Sequence, residues 1–162
     1  MTSPMISSSA NMLLSVRNLS VGAAGKGTIR PILHDVTFDL AEQRILGIIG
    51  ETGSGKSVLS RAVAAWLTRP LTATSGTVEF RGRDLLQLPQ SELRQFRGNQ
   101  IAYIGSNPSG ALDPTLPVGR QIVEKLRSIE PGLSRAEARD RVISLLAAVR
   151  IPSPASRFEE YP

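Results

Sequence analysis

Hydrophobic positions along the chain fall into strand-like and helix-like stretches. Residues 13–21 (LLSVRNLSV) mix Leu and Val as a strand does. Residues 32–40 (ILHDVTFDL) alternate Ile32, His34, Val36, Phe38 and Leu40 with Leu33, Asp35, Thr37 and Asp39, so the apolar members fall mostly on one face. The Gly-rich connector GAAGKG at 22–27 joins the two into an antiparallel β arm. Residues 44–50 (RILGIIG) form a nearly continuous apolar run, the pattern of a buried central strand. A helical period follows over 55–68, with Val58, Leu59, Ala62, Val63, Trp66 and Leu67 on its apolar side, Trp66 expected in the core, and Pro70 closing it.

Further on, Ser75 and Gly76 predict a turn into the strand TVEF, and GRDLL a turn into a short polar helix over 91–96. Residues 100–104 (QIAYI) give a second buried-strand candidate, followed by a Gly/Pro-rich loop over 105–117. An amphipathic helix is expected over 118–129. Ser134 and Glu137 form the capping box of the next, whose face carries Val142, Leu145, Leu146 and Val149. The last stretch, IPSPASRFEEYP, is expected to be irregular, and the Ser-rich residues 1–12 a disordered tail.

Composition narrows the chemistry. The 162 residues suffice for one ordinary domain, and 41% hydrophobic with 20% charged residues argues against a disordered or fibrous chain. The absence of cysteine excludes disulfides, thiolate metal sites and cysteine nucleophiles. One histidine, His34, sits in a strand pattern and makes a histidine metal site or a Ser-His-Asp triad a poor bet. The net charge of +5 suits an anionic partner. With 4% aromatic residues and no RNP, zinc-finger or helix-turn-helix pattern, no nucleic-acid partner is expected; the arginines around Glu137 and Asp140 read as a solvated helix face. No apolar run reaches the roughly 18 residues that span a bilayer, and the start lacks a secretory signal, so a cytoplasmic chain is expected.

One motif carries chemistry. Gly50-Glu51-Thr52-Gly53-Ser54-Gly55-Lys56-Ser57 fits G-x-x-x-x-G-K-[ST], with an apolar run before it and a helix pattern after it. Glycines let successive N–H groups turn inward around a phosphate, and the helix start adds unpaired N–H donors and partial positive charge. Lys56 is placed to reach the β- and γ-phosphates, and the Ser57 hydroxyl to ligate Mg²⁺. Glu51 and Asp113 are not candidate bases. The first is a variable loop position, and the second precedes Pro in an ordinary turn.

With its surroundings, GETGSGKSVLS resembles the ATP-binding subunits of ABC transporters, the closest group being importers of the oligopeptide, dipeptide and nickel type. The likeness runs from about Leu13 to Pro162 and includes ILHDVTFDLAEQRILGIIGETGSGKS, SGTVEFRGRDLLQLPQSELRQFRGNQIAYI and NPSGALDPTLPVGRQIVEKL. It implies an α/β P-loop NTPase fold. Residues 13–162 would be the N-terminal portion of a nucleotide-binding domain: a β arm, the P-loop strand and helix, and the start of a helical subdomain. The resemblance further implies ATP and Mg²⁺ as cofactors, a second ATP-binding subunit and integral-membrane permease subunits as partners, and a position on the inner face of the cell membrane. The loop from Ser106 to Leu116 and the following helix would receive a cytoplasmic helix of the permease.

The sequence departs from that family in three places. No signature LSGGQ, Walker B Asp, catalytic Glu or switch His follows Ser57; the Q-loop Gln falls on Ser106; and the adenine-stacking aromatic falls on Ala23, with Arg30 in the same arm as a substitute. Nucleotide binding without meaningful hydrolysis by this stretch alone is therefore expected. Two functions fit: part of the ATP-hydrolysing subunit of a peptide-type importer, or a non-catalytic nucleotide-binding or permease-docking module.

Overall fold

The computed structural model describes residues 12–25, 27–107 and 109–162. The expected tail lies outside them up to residue 11, and Met12 already belongs to a strand. The chain forms two compact units, one ending at Arg94 and the other running from Gln95 to Pro162.

The first unit is built on a four-stranded antiparallel sheet in the order β2-β1-β3-β4. Its strands are β1 (Met12–Ala24), β2 (Ile29–Ala41), β3 (Leu71–Phe80) and β4 (Arg83–Asp84). The β arm foreseen in the sequence is therefore present, and both of its strands run further than expected. Along β1 the buried positions are Leu14 and Val16, then Leu19 and Val21. Strict alternation would have pointed Leu19 away from the core. The phase is reset between Val16 and Leu19, where pairing to β3 slips by a residue and Asn18 takes a φ of 48°.

Gly76 supplies the partner geometry with a φ of 87°, and a Cβ there would lie 2.5 Å from the Asn18 carbonyl oxygen. The Ser75–Gly76 turn expected from the sequence is thus a bulge inside one continuous strand. A similar slip near Asp35, whose φ is 47°, transfers burial in β2 to Leu33 while Val36, Phe38 and Leu40 remain half-buried. Helix α1 (Lys56–Val63) covers the sheet with Leu59 and Ala62, completing a core of Val16, Leu19, Val21, Val78 and Leu85. It ends earlier than the apolar spacing suggested. Trp66, expected in the core, lies beyond its end and is 45% exposed.

Neither expected central strand forms. Residues 44–50 and 100–104 have no regular structure; Ile45 and Ile49 are each 98% exposed and Ile104 90%. An apolar run becomes a strand only by pairing its N–H and C=O groups with a neighbour, and no described strand flanks either segment.

Helix α2 (Gln90–Asn99) carries the chain into the second unit, which contains a 3₁₀ turn (Ser109–Ala111), α3 (Val118–Ile129), α4 (Arg135–Ala148) and α5 (Pro154–Glu159). The final segment, expected to be irregular, forms α5. Its Phe158 ring sits flat against Gly119 of α3, where any Cβ would collide with it, so a bulky residue can pack at that crossing only because position 119 has no side chain. Ala138 and Val142 of α4 are fully buried, whereas Leu145 and Val149 of the expected apolar face are 48% and 69% exposed. The helix buries the 138/142 edge of its apolar stripe instead.

Candidate functional site

The segment from Gly50 to Ser57 joins an irregular, exposed stretch to the first turn of α1. Ser54 N–H donates to the Glu51 carbonyl at 3.2 Å, closing a tight turn. Gly53 and Gly55 take φ of 86° and 93°, backbone conformations that other residues reach only with strain. Gly55 also packs against the β arm: a Cβ there would lie 2.7 Å from Leu33 Cδ2 and 3.6 Å from the Ile32 carbonyl oxygen. The arm thereby holds one end of the loop.

Lys56 arches back over the turn. Its Nζ donates to the carbonyls of Gly50 at 2.8 Å and Glu51 at 2.6 Å, and to Ser54 Oγ at 3.3 Å. The ammonium therefore stands across the loop's mouth rather than out in solvent. At the start of α1 the first helical bond runs from Leu59 N–H to the Gly55 carbonyl at 2.9 Å, and no side chain caps the helix. Lys56, Ser57 and Val58 accordingly begin the helix with N–H groups that have no carbonyl four residues back. Uncapped donors, positive helix-end potential and a fixed ammonium in one exposed turn suit an oxyanion. Ser57 adds an exposed hydroxyl in the first helical turn, and Glu51 and Thr52 are exposed on the loop itself. The eight residues singled out from the motif are thus contiguous and accessible, and the donor set fits a phosphate chain with a hydrated divalent cation.

The model of the family described as ABC transporter matches residues 33–161, most of the chain. The chain belongs to that family. Among similar proteins, a putative peptide import ATP-binding protein of Brucella abortus (strain 2308) is 44% identical over 150 residues, covering 93% of this chain and 45% of its relative. The dipeptide transport ATP-binding protein DppD of Haemophilus influenzae is 38% identical over 150 residues, with the same two shares. The chain therefore spans a little under half the length of these relatives. The ATP-binding cassette MJ0796, solved as a dimer in a post-hydrolysis state with ADP and Pi, superposes with a TM-score of 0.79 at 20% identity. That match covers 93% of this chain and 62% of the solved one, and it establishes the α/β cassette fold that the family resemblance implied.

The loop over 105–117 is held by side-chain hydrogen bonds. Gln121 of α3 ties it down, donating to the carbonyls of Asp113 and Leu116, both at 2.9 Å, and accepting from Asp113 N–H at 2.8 Å. Asp113 Oδ1 accepts from the Thr115 hydroxyl at 2.7 Å and N–H at 2.8 Å, and these bonds hold its carboxyl below the usual carboxylate range. The residue acts as a turn-former. Ser106 lies on the exposed first part of this loop, and Ala23 pairs directly with Arg30 across the arm.

Proposed function

We propose that residues 13–162 are the N-terminal portion of the ATP-binding subunit of an ABC-type importer of peptides or related solutes, and that Gly50, Glu51, Thr52, Gly53, Ser54, Gly55, Lys56 and Ser57 form its nucleotide-binding loop. The supporting observation is the conjunction at Gly55–Lys56: a left-handed glycine opening an uncapped helix, with a lysine ammonium bridging the loop. The names of the relatives support the class of transported solute.

In this reading the N–H groups at the start of α1 donate to phosphate oxygens, while Lys56 exchanges a carbonyl contact for the β- and γ-phosphates. The Ser57 hydroxyl would hold Mg²⁺, which when bound neutralises charge between phosphate oxygens. Arg30, on the strand that abuts Gly55, is proposed to cover the adenine ring where Ala23 offers no aromatic surface. The partners are a second ATP-binding subunit and membrane permease subunits, which place the protein at the inner face of the membrane. Nucleotide binding is the part of that function proposed for this stretch.

Calorimetric titration with MgATP tests the assignment. Saturable heat is expected for the native sequence, and Lys56→Ala should weaken binding at least tenfold, about 1.4 kcal/mol. Equal affinities, or no heat from folded protein, would overturn it.

A further inference from the structure

The second unit contains a cleft that the nucleotide reading does not use. It encloses about 420 Å³ between α3, α4 and α5, within the size range of small-molecule sites, and is lined by Arg120, Val123, Glu124, Arg127, Arg135, Arg139 and Phe158. The arginines come from both banks. Arg120 and Arg127 project from α3 seven residues apart, with Val123 between them, and Arg135 and Arg139 project from α4 one turn apart.

The floor is rigid and apolar, because the Phe158 ring is only 8% exposed, rests on Gly119, and has the Arg139 guanidinium 5.0 Å above its centre. Two of the four cations already have acidic partners: Arg120 pairs with Glu124 at 3.4 Å and Arg139 with Glu159 at 3.2 Å. Arg127 is oriented by its Nε, which donates to the Leu133 carbonyl at 3.1 Å. It and Arg135 have no carboxylate partner among the described residues.

An apolar floor with two cations in excess selects a dianion attached to an apolar body. Guanidinium forks match tetrahedral oxyanions bidentately, and a phosphate monoester carries close to two negative charges at neutral pH. We propose that this cleft is a second anion site, separate from Gly50–Ser57, which takes a small phosphate monoester with an aromatic or aliphatic body, the body lying on Val123 and the exposed rim of Phe158 and the phosphate between Arg127 and Arg135. It does not depend on the nucleotide assignment.

Phenyl phosphate is the probe, titrated into the whole chain and followed by amide chemical shifts and calorimetry, with inorganic phosphate as the reference for charge alone. Phenyl phosphate should bind at least tenfold more tightly than inorganic phosphate, and the responding amides should cluster on α3, α4 and α5. Arg135→Glu should weaken it at least fivefold; a carboxylate in the first turn of α4 is favoured by the helix dipole, so the fold is not put at risk. Glu124→Gln frees a third cation and should tighten binding. Lys56→Ala should leave this binding unchanged, which separates the cleft from the loop. The proposal is overturned if the two phosphates bind alike, if Arg135→Glu binds as the native chain does, or if the response maps to residues 50–57 and disappears with Lys56→Ala.

Discussion

Two glycines of the first unit have almost the same backbone angle and very different surroundings. Gly76 has a φ of 87° and Gly82 a φ of 77°, so a side chain at either costs about 1–2 kcal/mol for left-handed backbone. At Gly82 nothing lies within 4 Å of an added Cβ, whereas at Gly76 the Asn18 carbonyl oxygen would stand 2.5 Å away on backbone that cannot rotate clear. Gly82→Ala should therefore lose only the strain energy. Gly76→Ala should lose clearly more, because the β1–β3 ladder must open to admit the methyl group. Urea unfolding followed by Trp66 fluorescence measures this, since the chain's one tryptophan lies in that unit. Comparable losses would mean that the bulge at Asn18 is not held as the structure shows. Such a distinction is invisible in sequence: both glycines read as turn residues, and only the partner strand reveals which is inside a ladder.

At the scale of elements, α4 shows what local sequence does determine. Its capping box is complete: Ser134 Oγ accepts from Glu137 N–H at 3.2 Å, and Ser134 N–H donates to Glu137 Oε2 at 3.0 Å. Hydrogen bonds from the Ser134 side chain, then from its backbone, hold the Glu137 carboxyl below its ordinary range. A carboxyl depressed in the folded state stabilises the fold above its unfolded pKa, and that contribution fades as pH falls through the lower folded value. Ser134→Ala should cost about 1 kcal/mol at neutral pH. The stability gap between the native chain and the variant, monitored by helical circular dichroism, should narrow without closing as the solution is acidified into the carboxylate range, because the bond from Glu137 N–H to Ser134 Oγ does not titrate. A constant gap from pH 7 down to pH 2 would show that the Ser134 hydroxyl does not stabilise the Glu137 carboxylate.

Helices α3 and α4 were legible because caps and helical periodicity are contained within a dozen residues. The candidate loop was legible for the same reason, its motif fixing residue types at eight consecutive positions. The arginine cleft was not: Arg135 and Arg139 read as a solvated helix face until Phe158 is seen to floor the space between them and α3.

Over the whole molecule, the sequence pattern was least informative where structure depends on distant partners. Residues 44–50 and 100–104 have the composition of central strands, yet Ile45 and Ile104 present 98% and 90% of their surface to solvent. Burying an isoleucine contributes roughly 1.5–3 kcal/mol, so side chains left this exposed contribute almost nothing to folding while offering apolar surface for association between copies. Ile45→Lys combined with Ile104→Lys should leave the melting temperature, followed by Trp66 fluorescence for the first unit and helical circular dichroism for the second, within about 4 °C of the native value, since each surface change away from packed groups falls within about 0.5 kcal/mol. The same variant raises the net charge above the native +5 and should shift light scattering and sedimentation toward monomer. If either segment were instead paired inside a sheet, its buried ammonium group would unfold the unit that holds it, the first for Ile45 and the second for Ile104. A large fall in melting temperature would therefore replace these exposed runs with paired strands, and an unchanged melting temperature with reduced association would establish them as the molecule's adhesive surface.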